Sequence, residues 1–257
     1  MSIFIGVDGK ANKINSIFIG DNNNKAQQIS NLYYGVNNKA LQIPLSNPIL
    51  PKEYQQVKYI ESNGTQYINT KVPIKMPIKV IAELEWPIDT SSGNKCFIGA
   101  AGGTGYTLDP IVSVYSNSSF KIGMRYISST GANVSEVNFD TKYKIDSFIK
   151  AKEQHFYIND NNIWENSAAN DIQKSVNMYM FAQNANNNTI NFYAKVKMYS
   201  TKIYVNDSLT RNFYPCYRKQ DNVIGLYDLV NDVFYINNGT GTFSIGKKCE
   251  EELLPND

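Results

Sequence analysis

Glu83 and Glu85 are the carboxylates whose spacing suggests chemistry. Two apart on an extended strand, they share a face. Retaining glycoside hydrolysis uses two carboxyls about 5 Å apart, one as nucleophile and one as acid/base. Side chains at i and i+2 stand about 6.5–7 Å apart along a strand, which does not prohibit it. The stronger expectation is a solvent-facing charged stripe. His155 is the sole histidine, so any Ser–His–Asp triad would have to use it. No Gly-x-Ser-x-Gly turn surrounds a serine, and a His beside Phe156 reads as a strand-edge residue. Cys96, Cys216 and Cys249 are odd in number and widely spaced. They form no CxxC or Cys/His cluster for zinc and no disulfide framework, and they read as small core residues in a reducing compartment. The Asp and Asn clusters could hold calcium but lack EF-hand spacing. No catalytic residue, metal or cofactor is therefore expected.

Two loops have the composition of a ligand site. Ala100-Ala101-Gly102-Gly103-Thr104-Gly105-Tyr106 is glycine-rich, but it lacks the Lys-Ser/Thr of a phosphate loop and no helix follows it. It reads as a loop at one end of the domain, where Tyr106 and Asp109 could face a sugar. Asn184, Asn186, Asn187 and Asn188 sit between strands and could do the same. Aromatic faces stack on sugar C–H surfaces, while Asp and Asn bind hydroxyls, and ligand sites combine such walls with a few polar groups. A plain solvated turn competes with this reading in both loops. Trp86 and Trp164 are expected in core or hairpin packing.

These groups must be positioned by strands. The chain has 257 residues, with 18 Tyr, 12 Phe and 33 Asn, and only 19% charged residues. Aromatics favour strands and Asn favours turns, which reads as all-β. Ile78, Val80, Ala82, Leu84 and Trp86 alternate with Lys79, Ile81, Glu83 and Glu85, the period of a half-buried strand. Ala194, Val196 and Met198 alternate with Lys195 and Lys197. Phe120, Ile122, Met124 and Tyr126 form another run. Phe156-Tyr157-Ile158, a turn over residues 159–162 and Ile163-Trp164 predict a hairpin. Val233–Ile236 and Phe243–Ile245 predict a final one. The net charge of +2 does not suggest nucleic acid as a partner. The Lys, Asn, Ile and Tyr excess is the codon signature of an AT-rich genome. The opening residues lack the basic start of a signal peptide, and no apolar run reaches membrane-spanning length, so a protein made in the cytosol without membrane insertion is expected.

The first 43 residues repeat. Ile3-Phe4-Ile5-Gly6-Val7-Asp8-Gly9-Lys10-Ala11 is followed by Ile17-Phe18-Ile19-Gly20 with Lys25-Ala26, then by Leu32-Tyr33-Tyr34-Gly35-Val36-Asn37-Asn38-Lys39-Ala40. Each unit predicts a strand, a turn and a second short strand. A lone hairpin is marginal in water, so these units are expected to dock on something. Pro44, Pro48 and Pro51 mark a stiff linker over residues 44–51. The main domain is expected over 52–247, and a polar tail over 248–257.

Two segments carry a family resemblance. Residues 50–70, LPKEYQQVKYIESNGTQYINT, look like the opening of a concanavalin A-like (laminin-G-type) domain common in phage and surface proteins of low-GC Gram-positive bacteria. Phe213-Tyr214-Pro215-Cys216-Tyr217-Arg218-Lys219, Val223-Ile224-Gly225-Leu226-Tyr227-Asp228 and Phe234-Tyr235-Ile236-Asn237-Asn238-Gly239-Thr240-Gly241 resemble its end. The N-terminal repeat resembles the starts of phage tail and baseplate-associated proteins. The resemblance implies a two-sheet antiparallel jelly-roll β-sandwich in a virion structural protein of tail, baseplate or capsid surface. It further implies other virion proteins as partners through residues 1–43 and contact with cell-envelope glycan; a symmetric homo-oligomer is expected because unpaired hairpin edges invite self-pairing. Glycosidases of this fold add a third acidic residue to their motif, where this chain has Leu84 between Glu83 and Glu85. A concanavalin-like glycoside hydrolase and a bacterial surface adhesin are the alternatives.

Overall fold

A computed structural model describes residues 3–7, 10–14, 18–20, 26–28, 32–36, 39–43, 50–75, 77–87, 95–101, 111–116, 121–125, 133–136, 141–150, 153–166, 173–185 and 189–249. The chain divides into two units, Met1–Pro51 and Lys52–Cys249, with Glu250–Asp257 grouped with the first. Every regular element among the described residues is a strand.

In the first unit, Ile3–Val7 pairs with Lys10–Ile14, Phe18–Gly20 with Ala26–Gln28, and Leu32–Val36 with Lys39–Ile43. Each pair is its own two-stranded antiparallel sheet. The aligned glycines occupy equivalent register positions: Gly6 lies opposite Ala11, Gly20 opposite Ala26, and Gly35 opposite Ala40. Phe4, Phe18 and Tyr33 precede those glycines by two positions in sequence. The repeat thus places one small cross-strand pair beside one aromatic position three times over.

The second unit is a two-sheet sandwich. The larger sheet has 11 strands. Its main path is Asn161–Asn166, Glu153–Ile158, Lys142–Lys150, Ile78–Glu85, Lys197–Val205, Ser208–Arg218, Ile224–Asp228 and Val233–Ile236. Tyr54–Gln56, Ile60–Glu61 and Ser244–Ile245 pair off this path. The smaller sheet has 8 strands, in the order Asn133–Glu136, Lys121–Arg125, Ile111–Ser116, Lys95–Ala101, Gln173–Met180 and Ile68–Lys75, with Gln183–Ala185 and Thr189–Asn191 beside them.

Alternation decides what is buried. Ile78, Val80, Ala82, Leu84 and Trp86 are all at most 1% exposed, while the residues between them face outward. Ala194, Val196 and Met198 are buried in the same way. Ile68, Val72, Ile74, Phe97, Ile98 and Met178 of the smaller sheet join them in one core. Each such side chain contributes about 1.5–3 kcal/mol by leaving water. Cys96 and Cys216 lie in this interior, whereas Cys249 is only half-buried. Trp86 is core, and the side chain of Trp164 lies outside the described residues, as do those of residues 120–126.

Three expectations need correction. The turn after Ile158 is two residues, Asn159–Asp160, not four; both take positive φ (49° and 63°), which Asn and Asp tolerate, and the strand resumes at Asn161. Ser244–Ile245 does not return along Val233–Ile236 but pairs with Ile60–Glu61, because the intervening residues are captured elsewhere. The sandwich also runs past residue 247: Lys248 bridges Val57, and the Cys249 amide donates to the Gln56 carbonyl at 3.0 Å. The expected linker residues 44–49 and tail residues 250–257 lie outside the described residues.

Candidate functional site

The segments that carry the resemblance meet in space. The Asn238 amide donates to the Tyr67 carbonyl at 2.8 Å, and the Thr240 amide to the Thr65 carbonyl at 3.1 Å. The Tyr67 amide donates to Asn237 Oδ1 at 3.2 Å, and the Asn69 amide to Asn238 Oδ1 at 3.0 Å. Gln66, fully buried, accepts from Ser62 Oγ and the Asn63 amide and donates to the Thr242 carbonyl. The Asn-Gly-Thr turns are therefore a clasp that closes the sandwich. They use side-chain amides because the backbone there leaves the strand ladder.

Beside this clasp is a cluster of tyrosines from three segments. Tyr179 is the register partner of Asn69, and alternation puts both on the outer face, opposite buried Ile68 and Met178. Tyr67 stacks on Tyr179 with ring centres 4.8 Å apart at 24°. Tyr193 meets Tyr67 edge-on at 6.4 Å and 69°. Tyr179 is 5% exposed, so it is the floor; Tyr67 and Tyr193 are half-exposed walls. Burial, then the neighbouring Tyr67, raises the phenols of Tyr179 and Tyr193 above the ordinary value, which keeps them neutral.

Two strained residues hold this corner. Phe181 (φ 66°) and Phe192 (φ 54°) are bulky residues in the left-handed region, where such side chains are costly unless the surroundings impose it. They bracket the hairpin of Gln183–Ala185 and Thr189–Asn191. The Ala194 amide donates to the Phe181 carbonyl at 2.9 Å, and the Cys96 amide to the Phe192 carbonyl at 2.7 Å. Phe181 also packs on Phe97 and Phe243. The reversal at Phe181 lets Gln183–Ala185 run parallel to Lys95–Ala101, with Ala101 opposite Ala185.

Of the six expected ligand residues, Asn184 lies within the described residues. It is 2% exposed, and its Nδ2 donates to the Asn177 carbonyl at 2.9 Å, so it braces the strand under the tyrosines. Tyr106, Asp109, Asn186, Asn187 and Asn188 lie outside the described residues. Tyr67, Tyr179 and Tyr193 were not singled out from sequence. Period two at Tyr67-Ile68-Asn69-Thr70 does place Tyr67 and Asn69 on one face, but their meeting with Tyr179 and Tyr193 depends on long-range pairing.

Glu83 and Glu85 do lie on the outer face of the larger sheet, tied to lysines. Glu83 pairs with Lys142, and Glu85 with Lys197. Tyr199 donates its hydroxyl to Glu85 at 2.7 Å. Burial opposes ionisation of Glu85, but the bonds from Lys197 and Tyr199 outweigh it and hold the carboxyl below its ordinary value. That direction suits a structural anion and does not suit Glu85 as the protonated acid of glycoside cleavage. His155 sits on an interior strand next to the edge strand rather than at a strand edge. Its Nε2 meets Glu153 at 3.0 Å, and Nδ1 lies 3.3 Å from Glu165. The latter approach is too misaligned for a hydrogen bond, which leaves Nδ1 buried without one. Both ring nitrogens thus face carboxylates, not a serine hydroxyl. Among the described residues no group of three or more His, Cys, Asp or Glu could hold a metal ion.

No family model matches this chain, and no curated protein matches it. Among solved structures, it is similar to a Bacteroides ovatus protein assigned provisionally to carbohydrate binding. The identity is 10% and the TM-score 0.51, over 75% of this chain and 60% of that one. The likeness thus spans less than two thirds of the Bacteroides protein. Weaker matches are the heptameric SAP-like pentraxin of Limulus polyphemus (8% identity, TM-score 0.47, 75% of this chain and 94% of that one) and the CBM40 of Ruminococcus gnavus IT-sialidase bound to α2,3-sialyllactose (10%, 0.46, 58% and 90%). The fold is an all-β, two-sheet jelly-roll sandwich, and a fold of this kind does not by itself assign an activity.

Proposed function

We propose that this protein is a non-enzymatic structural component of a bacteriophage or prophage particle, whose sandwich engages cell-envelope glycan and whose residues 1–43 attach it to other virion proteins. The glycan reading rests on the corner of Tyr67 and Tyr193 over Tyr179, with side-chain amides alongside. Half-exposed rings beside amides suit the C–H faces and hydroxyls of a sugar. A provisional carbohydrate-binding assignment for a protein of the same fold supports it. Ala101 and Ala185 are neighbours across a parallel pair, and the residues that follow them in sequence, Tyr106 and Asp109 after one and Asn186, Asn187 and Asn188 after the other, are proposed as further ligand contacts.

The attachment reading rests on three separate hairpins with open edges. Such units gain stability by pairing with other chains. Many copies, arranged as a symmetric homo-oligomer, would add the avidity that a shallow site needs. The tied state of Glu83 and Glu85 supports binding over hydrolysis. Immunogold labelling of particles released by prophage induction tests the virion role: label at a fixed position supports it, and label confined to cells or soluble fractions sinks it. A glycan array with the full chain tests the binding role, and an array without any hit overturns it.

A further inference from the structure

The segments around the tyrosine corner share a charge asymmetry. Residues 62–71, 175–179, 183–185, 189–195 and 237–242 contain no Asp or Glu, in a chain with 23 of them. Their charged residues are Lys71 and Lys195, both exposed. Lys195 follows Tyr193 by two positions, and its aliphatic stem lies over Gly64, 3.4 Å from where a Cβ would stand. The Lys71 amide is held by Asn69 Oδ1 at 2.9 Å, and its backbone takes φ 58°, a left-handed bulge on the edge strand Ile68–Lys75. Neither ammonium has a carboxylate partner among the described residues. On the larger sheet's outer face, by contrast, Lys79 pairs with Asp146, Lys142 with Glu83, Lys144 with Asp160 and Lys197 with Glu85. Asn238 spends its side-chain oxygen on the Asn69 amide and Asn69 spends its own on the Lys71 amide, which leaves their Nδ2 groups as donors.

From this we infer that the corner takes an anionic glycan, a sugar polymer bearing carboxylate or phosphate. The inference rests on the glycan reading above and adds the class of ligand. Tyr67 and Tyr193 hold the sugar faces, the amides of Asn69 and Asn238 donate to its oxygens, and Lys195 and Lys71 meet its charges. A surface built from these segments, with two ammonium groups that have no carboxylate partner among the described residues, attracts a polyanion through several weak, salt-sensitive contacts.

The test is affinity electrophoresis of the full-length protein through gels holding polygalacturonate, a poly(glycerol phosphate) chain, or neutral dextran, at low and high salt. Retardation is expected in a polyanion and not in dextran, and it is expected to vanish at high salt. The K71Q/K195Q double variant should weaken polyanion binding about tenfold or more, given the worth of charge-assisted bonds. Lys202→Gln, on the other sheet's outer face, should leave binding unchanged, and Tyr67→Ala should abolish it. Preference between the first two gels tells carboxylate from phosphate. Equal binding of dextran, or a double variant that binds as wild type, overturns the anionic class and leaves the glycan reading standing. A glycan array without any hit overturns both.

Discussion

The carbonyl of Thr65 stands where a Cβ on Gly239 would have to be. One residue belongs to an early turn of the sandwich and the other to a late one, so a glycine near the end of the domain is required by a carbonyl near its start. Gly239→Ala must push the two turns apart and should destabilise the sandwich by about 2 kcal/mol, as forced overpacking does. Gly241→Ala should cost less: its neighbours are the movable side chains of Gln66 and Thr65, although its φ of 69° still disfavours a Cβ. Urea unfolding of both variants checks the order.

Tyr179 and Tyr193 should separate structure from binding. Tyr179→Ala removes a ring that is 5% exposed and should cost about 3 kcal/mol. Tyr193→Ala removes a half-exposed wall and should lower glycan affinity with little change in unfolding midpoint. Equal loss of stability in both would make the corner a packing cluster.

Glu85 should give the fold an acid-labile contribution. Its folded pKa lies below the ordinary 4.5, so the stabilisation is present above that value and is lost as pH falls through the folded one. Glu85→Gln should therefore be less stable than wild type at neutral pH, and the two curves should converge in acid. Neither Glu83→Gln nor Glu85→Gln should alter release of sugar from any polysaccharide, because no release is expected from wild type.

The thiols should react in a fixed order. Burial pushes Cys216 up to about 12, and burial also raises half-buried Cys249. At mildly alkaline pH a thiol reagent should modify Cys249 in the native protein. Cys216 should react only in denaturant. Native reaction of Cys216 at the rate of Cys249 would contradict the packing around it.

Bulky side chains at the repeated Gly–Ala positions should disable attachment alone. Gly6→Val, Gly20→Val and Gly35→Val together fill a position that is small in every hairpin. Incorporation into particles should fall, while the unfolding midpoint of the sandwich stays unchanged.

The legible parts of the fold were those decided by neighbours in sequence. Alternation over Ile78–Trp86 sufficed because burial there follows the pleat. The Asn-rich turns were recognisable from their tolerance of positive φ, although the length of the Asn159–Asp160 turn was not. Ser244–Ile245 was misassigned because its partner, Ile60–Glu61, is brought near only by the clasp. The tyrosine corner was illegible for the same reason: Tyr67, Tyr179 and Tyr193 stand alone in their segments, and the pairing of Asn69 with Tyr179 unites them. The shared face of Glu83 and Glu85 is legible in their spacing, but their lysine partners come from other strands.

The clasp also sets an order of events during synthesis. Ile60–Glu61 stays incomplete until Ser244–Ile245 arrives, and Val57 waits for Lys248. A nascent chain still held at residue 230 has therefore exposed its three hairpins but cannot shut its sandwich, since contacts this distant in sequence form late. The hairpins reach the solvent before the domain behind them is finished. If they attach to other chains as proposed, they are exposed to those partners while the ribosome is still working.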